Sequence, residues 1–255
     1  MRFLRWKFLL VLICMLVVSA CGGLAQKKAE QATDHMNMGI AYVESGNYPS
    51  ALKELLEAEK FTPDNPKLHY YLGIAYVCNE LPEKAVTEFN TAVSLKPDYS
   101  EAYNYLGTIY MSQNNWDKAI YFFSKALENV LYETPAVSLY NMARAYYSKG
   151  DYRTAVVKYQ EAAIRDRNRD LLPLIEIGMG KAYYDQGNLV EAGRHFKMSA
   201  DLVPTFAEAH YWLAECYGKQ KKLKEAKTSY ETVLTLAPDS ELGVKARAAI
   251  KSLNP

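Results

Sequence analysis

The fold is decided by the stretch Leu72–Pro97, LGIAYVCNELPEKAVTEFNTAVSLKP. The glycine and alanine positions of this stretch recur every 34 residues, at Gly39, Gly73, Gly107, Ala51, Ala85 and Ala119. A fixed period of this size is typical of stacked supersecondary units, each of which buries its apolar face against its neighbours. The sequence therefore predicts a repeat protein rather than one globular core.

Six copies of the pattern follow one another along the chain. A small residue marks the first half of each copy, at Gly39, Gly73, Gly107, Ala143, Gly180 and Ala214. An alanine marks the second half, at Ala51, Ala85, Ala119, Ala155, Ala192 and Ala226. Small residues let two helices approach closely, and we expect aromatic residues to fill the space between them. Gly46, Gly150 and Gly187 share one position between the halves, where glycine can adopt the left-handed conformation that ends a helix.

The spacing Leu-Gly-x-x-Tyr…Ala-x3-Phe…Pro resembles the tetratricopeptide repeat, a helix–turn–helix unit. The resemblance implies an all-α fold, a right-handed superhelical solenoid of six helix pairs over residues 30–239. Residues 240–255 carry apolar side chains at helical spacing and resemble the capping helix that covers the last repeat. Six pairs and a cap predict thirteen helices.

The N-terminus has the pattern of a secretion signal in residues 1–20. Basic residues precede an apolar run of eleven residues, Phe8–Val18. This run is shorter than the roughly 20 residues that span a bilayer, but it suits a signal peptide. An ordinary signal peptide, cleaved at the same place without further modification, is one interpretation of this segment.

The end of that segment, Val18-Ser19-Ala20-Cys21, resembles the lipobox of bacterial lipoproteins. The resemblance implies cleavage before Cys21, a covalent lipid on its thiol, and a tether in residues 21–29. Position 22 is glycine rather than aspartate. By analogy with lipoprotein sorting in Gram-negative bacteria, this favours a location at the periplasmic face of the outer membrane. We expect this lipid anchor, and no cofactor besides it.

The sequence carries no motif with enzymatic specificity, so we predict no catalytic residue, no metal site and no small-molecule substrate. His35, His69 and His210 occupy the same position in their repeats, where packing at the edge of the core is expected. The net charge of +1, without a basic stripe, gives no case for nucleic-acid binding.

One face of each first helix is the candidate binding groove. Its positions follow the spacing i, i+4, i+7, which places side chains on a shared face. In the repeat family this face lines the concave side of the superhelix. The positions are Met36, Ile40, Val43, Tyr70, Ile74, Val77, Asn104, Thr108, Met111, Tyr140, Arg144, Tyr147, Ile177, Lys181, Tyr184, Tyr211, Glu215 and Gly218.

The groove is apolar in the first two repeats, and later it mixes tyrosine with Arg144, Lys181 and Glu215. Such a surface suits a protein or peptide segment. It lacks the Lys/Asn/Arg set that clamps a terminal carboxylate in chaperone-binding relatives, so we do not expect it to recognise a free C-terminus. The alternative is that these side chains pack against neighbouring helices or the N-terminal segment.

A lipobox followed by six such repeats and a cap resembles the type IV pilus biogenesis lipoprotein family. The resemblance implies a non-enzymatic scaffold on the outer membrane that binds a segment of the secretin subunit and assists secretin assembly. A scaffold lipoprotein of another envelope machine, such as exopolysaccharide export, is an alternative. A cell-wall enzyme or enzyme activator is a second alternative, without a catalytic constellation to support it.

Overall fold

The computed structural model describes residues 27–253, which form thirteen α-helices and no strand. The helices are α1 27–44, α2 Tyr48–Glu59, α3 Pro66–Cys78, α4 Pro82–Leu95, α5 Ser100–Ser112, α6 Trp116–Glu128, α7 Pro135–Ser148, α8 Tyr152–Arg165, α9 Leu172–Asp185, α10 Leu189–Leu202, α11 Ala207–Lys219, α12 Leu223–Leu236 and α13 Glu241–Leu253. The prediction of six helix pairs and a cap is confirmed.

The predicted signal peptide, Cys21 and the first part of the tether lie outside the described residues. The tether was predicted to extend to residue 29, but residues 27–29 already belong to α1. This short run, Lys27-Lys28-Ala29, consists of strong helix formers, which explains the earlier start. Within residues 27–253, no helix combines the length and the apolar character needed to cross a bilayer.

The chain divides into two compact units, one up to Ala102 and one from Tyr103 onward. In the first unit, α3 packs against α2 and α4. In the second unit, α7 pairs with α8, α9 with α10, and α11 with α12, and each pair contacts the next along the chain. Consecutive pairing of this kind is the packing that a helix–turn–helix repeat predicts.

Close approach of the two helices in a repeat depends on the small residue in the first helix. A Cβ built on Gly73 would lie 2.6 Å from the ring of Phe89, and one on Gly107 would lie 2.5 Å from the ring of Phe123. Both phenylalanines are fully buried. The glycines therefore make room for the aromatic core, as the sequence predicts.

Each helix pair turns through one residue in the left-handed conformation. Gly46, Gly150 and Gly187 have φ of 76°, 81° and 78°, which confirms their predicted role. In the other three repeats the same position holds a non-glycine residue, Glu80, Asn114 or Lys221. An Asn or Asp directly after the turn often caps the second helix, as when Asp151 accepts a hydrogen bond from the Thr154 amide.

The last helix, α13, covers the end of the second unit. Ala246 is buried in one cluster with Tyr230 and Val233, and Leu242 and Ile250 pack around that cluster. A terminal repeat otherwise exposes the apolar face that internal repeats bury against a neighbour. The predicted capping role of this segment is therefore what the structure shows.

Candidate functional site

A cavity of about 460 Å³ in the second unit brings together several of the predicted groove residues. Tyr140, Arg144 and Tyr147 reach it from α7, and Ile177 and Lys181 reach it from α9. The spacing i, i+4, i+7 keeps each set on one face of its helix, and α7 and α9 are in direct contact. Other lining residues that the groove prediction did not include are Ser148, Tyr159, Leu174, Gly178 and Glu208.

Tyrosine rings form one wall of the cavity. The ring centroids of Tyr140 and Tyr159 lie 5.8 Å apart, and Tyr159 is only 3% exposed. A Cβ on Gly178 would lie 2.3 Å from Cζ of Tyr159, so this glycine leaves the space that the ring occupies. Burial raises the pKa of both phenols, which keeps them neutral. The wall is therefore aromatic and uncharged.

Of the two cations that line the cavity, Lys181 forms an ion pair within the described part of the chain and Arg144 does not. Lys181 Nζ donates to Glu208 Oε1 at 2.5 Å, and its ammonium also lies 5.2 Å from the ring centroid of Trp212. Arg144 is exposed and places its guanidinium 5.7 Å from the ring centroid of Tyr140. Among residues 27–253, no carboxylate forms an ion pair with Arg144. The cavity thus keeps one cation that a ligand can neutralise.

Tyr147 closes one side of the cavity through a contact with its neighbour on α9. The Tyr147 hydroxyl donates to Asp185 Oδ2 at 2.6 Å. Burial and this hydrogen bond both raise the pKa of Tyr147. Asp185 is therefore engaged by a neutral phenol, and the contact ties α7 to α9 beside the cavity.

The groove positions of the first unit are more enclosed than the sequence suggests. Ile74 is only 9% exposed and is a core residue. The Tyr70 ring lies 6.0 Å from Phe89 and 5.0 Å from Tyr99, measured between centroids. Partly buried groove positions of this unit are Met36, Ile40, Val43 and Val77. Packing within the unit accounts for the apolar strip at Tyr70 and Ile74.

Several other predicted positions contact neighbours of their own. Asn104 Oδ1 accepts a hydrogen bond from Ser138 Oγ at 2.9 Å. The Tyr184 ring stands edge-on to Trp212, and Lys219 Nζ lies 4.1 Å from the centroid of the Tyr184 ring. Met111 and Tyr211 are partly buried. These residues therefore lie outside the lining of the Tyr140–Lys181 cavity.

Of two lining residues that the groove prediction missed, Gly178 and Glu208, only the first left a signal in the sequence. Gly178 is an extra glycine, two positions before Gly180, the small residue of the repeat pattern. It is needed to accommodate Tyr159. Glu208 lies 27 residues after Lys181, a separation that no helical period relates to the groove face. The first residue was readable as an anomaly in the repeat, whereas the second depended on the packed structure.

Three of the four histidines link the two helices of a repeat. His69 Nδ1 lies 2.7 Å from Glu88 Oε2, and its Nε2 lies 2.6 Å from the Pro63 carbonyl oxygen. The hydrogen bond to Glu88 is the main reason why the pKa of His69 is raised, with a smaller contribution from Pro63. Glu59 also approaches, so that three possible metal-ligand atoms lie within 4.8 Å of one another. Because both ring nitrogens face acceptors, a protonated His69 already satisfies this arrangement.

The same pair recurs elsewhere with equal sequence separation. His35 Nδ1 lies 2.7 Å from Glu54 Oε2 in the first repeat. In the fifth repeat the two residue types exchange helices, and His195 Nδ1 lies 2.6 Å from Glu176 Oε2. This exchange preserves the contact between the helices, which indicates a structural role.

Comparisons with known proteins support the repeat architecture. Family models described as TPR repeat or tetratricopeptide repeat match residues 39–79, 98–163, 140–205 and 207–240. A comparison of the sequence with curated proteins gives no significant match.

Solved structures with the same fold include two that align almost end to end. PilF of Pseudomonas aeruginosa has a TM-score of 0.74 at 17% identity, over 88% of this chain and 99% of its own. PilW, described as a widely conserved type IV pilus biogenesis factor, has a TM-score of 0.75 at 19% identity, over 85% and 98%. YrrB, described as a TPR protein with an unusual peptide-binding site, has a TM-score of 0.60 at 18% identity, over 76% and 97%. Identities this low show a shared fold.

Proposed function

Because the chain belongs to the tetratricopeptide-repeat family, we propose that it is a non-enzymatic scaffold that assists the assembly of type IV pili. Its proposed action is to hold a segment of a partner protein in the Tyr140–Lys181 cavity. The observation that carries this proposal is the convergence of Tyr140, Arg144, Tyr147 and Lys181, on two successive first helices, around one cavity. The end-to-end structural likeness to PilF and PilW supports the pilus assignment.

The chemistry of the cavity favours binding over catalysis. Its tyrosines are neutral, Lys181 is paired with Glu208, and Asp185 accepts from Tyr147. None of these contacts places an activated nucleophile next to a base. Aromatic rings with a nearby guanidinium are instead the residues that dominate protein-binding surfaces. An extended or helical segment is the natural occupant of a groove lined by two helices.

The proposal includes a location and a partner. The mature chain begins at Cys21 and carries lipid there, which holds it at the periplasmic face of the outer membrane. A single acyl chain gives marginal membrane binding, so stable anchoring requires more than one chain. The proposed partner is a subunit of the pilus secretin, because that ring lies in the same membrane. The sequence Val18–Cys21 and the pilus role described for PilW support this assignment.

Site-specific photo-crosslinking tests the partner. A benzophenone amino acid replaces Tyr147 in cells that assemble pili, and a matched variant carries it at Tyr121, which is 53% exposed and outside the cavity. We expect an adduct with the secretin from position 147 and none from position 121. An adduct with a polysaccharide-export protein, or equal labelling from both positions, would refute the pilus assignment.

Membrane fractionation tests the anchor separately. Replacing Cys21 with serine removes the thiol that the lipid requires, so the protein should move to the soluble periplasmic fraction. Unchanged recovery with the outer membrane would show that the lipid does not hold the protein there.

A further inference from the structure

Arg144 is the charged residue of the cavity that forms no ion pair within the described residues. The other cation of the lining, Lys181, is neutralised by Glu208 at 2.5 Å. Asp185 lies beside Tyr147 and is held by the tyrosine hydroxyl. Arg144 contacts the Tyr140 ring and pairs with no carboxylate among residues 27–253. The rim therefore presents a guanidinium that is oriented by an aromatic ring and whose N–H groups can donate hydrogen bonds to a ligand.

The wall below this guanidinium suits an apolar side chain. Leu174 is 38% exposed and lines the cavity together with the Tyr140 ring. Ile177 and Tyr159 also line it but are almost fully buried, so they support this wall from behind. Gly178 contributes no side chain, and the Tyr159 ring packs in the space that this leaves. A single partner side chain could cover the apolar wall while its neighbour in the partner sequence reaches Arg144.

We propose that the segment held in this cavity carries an aspartate or glutamate directly beside an aromatic or aliphatic residue. The carboxylate binds the Arg144 guanidinium, and the apolar side chain lies against Tyr140 and Leu174. This inference rests on the proposed binding function and specifies the chemistry of the bound segment. A guanidinium offers paired N–H donors whose spacing matches a carboxylate, which makes arginine selective for this group.

An internal acidic side chain fits better than the C-terminal carboxylate of a partner. A terminal carboxylate is usually held by several donors at once. Here Lys181 forms an ion pair with Glu208, which leaves Arg144 as the cation for a bound carboxylate. A lysine or arginine in the partner would meet the positive charge of Arg144 and would be disfavoured. The site therefore selects for an acidic residue within a chain.

Peptide selection on the full chain, held in detergent, tests this inference. Random decapeptides are displayed with both ends fused, so that no peptide has a free terminus. We expect the wild-type protein to enrich Asp or Glu next to Phe, Leu or Met. Arg144→Glu should reverse the preference to Lys or Arg. Arg153→Glu, a matched charge change at an exposed position on α8 outside the cavity, should leave the acidic preference intact.

A selected peptide then provides the affinity test by fluorescence anisotropy. Changing its acidic residue to the amide should weaken binding to the wild type about fivefold, as for a partly exposed ion pair. The same change should have little effect on Arg144→Gln, because the guanidinium is already gone. Thermal unfolding of both arginine variants should match the wild type, since Arg144 is exposed.

Two results would overturn the inference. One is selection without acidic enrichment, or the same preference from wild type and Arg144→Glu. The other is tighter binding of a peptide that offers only a free C-terminal carboxylate. Crosslinking from position 147 to the secretin does not depend on the charge of the bound segment. If position 147 crosslinks to the secretin but peptide binding does not depend on charge, this inference is wrong and the proposed function is still supported.

Discussion

Replacing His69 with glutamine should destabilise the protein far more in acid than in alkali. In the folded chain both ring nitrogens of His69 face acceptors, Glu88 at 2.7 Å and the Pro63 carbonyl at 2.6 Å. Only the doubly protonated imidazolium donates to both. The hydrogen bond to Glu88 raises the pKa of His69 above its usual value near 6.5, against the opposing effect of burial.

The direction of the pH dependence follows from that raised pKa. A histidine with a higher pKa in the folded state binds its proton more tightly there, so its contribution to stability is complete below the unfolded pKa. The contribution is lost as pH rises through the folded pKa.

The magnitude follows from the two hydrogen bonds. A hydrogen bond to a charged group contributes about 1.5–3 kcal/mol, and a neutral one about 0.5–1.5 kcal/mol. His69→Gln should therefore lower the free energy of unfolding by about 2–4 kcal/mol at pH 5.5. By pH 9 the neutral imidazole donates only one hydrogen bond, and the loss should fall to about 1 kcal/mol.

Urea unfolding followed by circular dichroism at pH 5.5, 7 and 9 measures these losses. His210→Gln is the matched control, because His210 occupies the same slot and reaches the Pro204 carbonyl at 2.9 Å. Among the described residues no carboxylate is hydrogen-bonded to it, so at pH 5.5 its replacement should cost about 1 kcal/mol, less than that of His69. An equal loss at all three pH values for His69→Gln, or a larger one at pH 9, would show that His69 is neutral in the folded chain.

Three further perturbations test other parts of the structure. Gly178→Ala should displace the tyrosine ring packed against it, cost about 1–3 kcal/mol in urea unfolding and weaken peptide binding; Gly193→Ala, where a Cβ meets nothing closer than 3.7 Å, should do neither. Cys216 is buried and burial raises its pKa to about 12, so a thiol reagent at pH 8 should label the exposed Cys78 and leave Cys216 unmodified until urea is added. Ile74→Asp should cost about 3 kcal/mol or more, because the side chain is 9% exposed; a fully stable variant would instead return Ile74 to the open groove.

The sequence alone determined the repeat, the thirteen helices and the left-handed turn residue in the three helix pairs that have glycine there. These features depend on short-range spacing and on the properties of single residues, which a sequence displays directly. Gly107 opposite Phe123 and Gly150 with its positive φ are both readable in this way. The same turn at Glu80 and Lys221 was not, because residues other than glycine adopt it only when the surrounding helices require it.

Only the tertiary structure decided which part of the predicted groove is open. Ile74 and Arg144 hold the same position in their repeats, yet Ile74 is buried while Arg144 is exposed at the rim of a cavity. Their periodicity is identical, so it could not separate them. The difference lies in tertiary packing, because Arg144 lines a cavity with Leu174, Lys181 and Glu208, which are far from it in the chain. Packing volume and charge pairing are set by neighbours in space, and for that reason the helical pattern located the face but not the site.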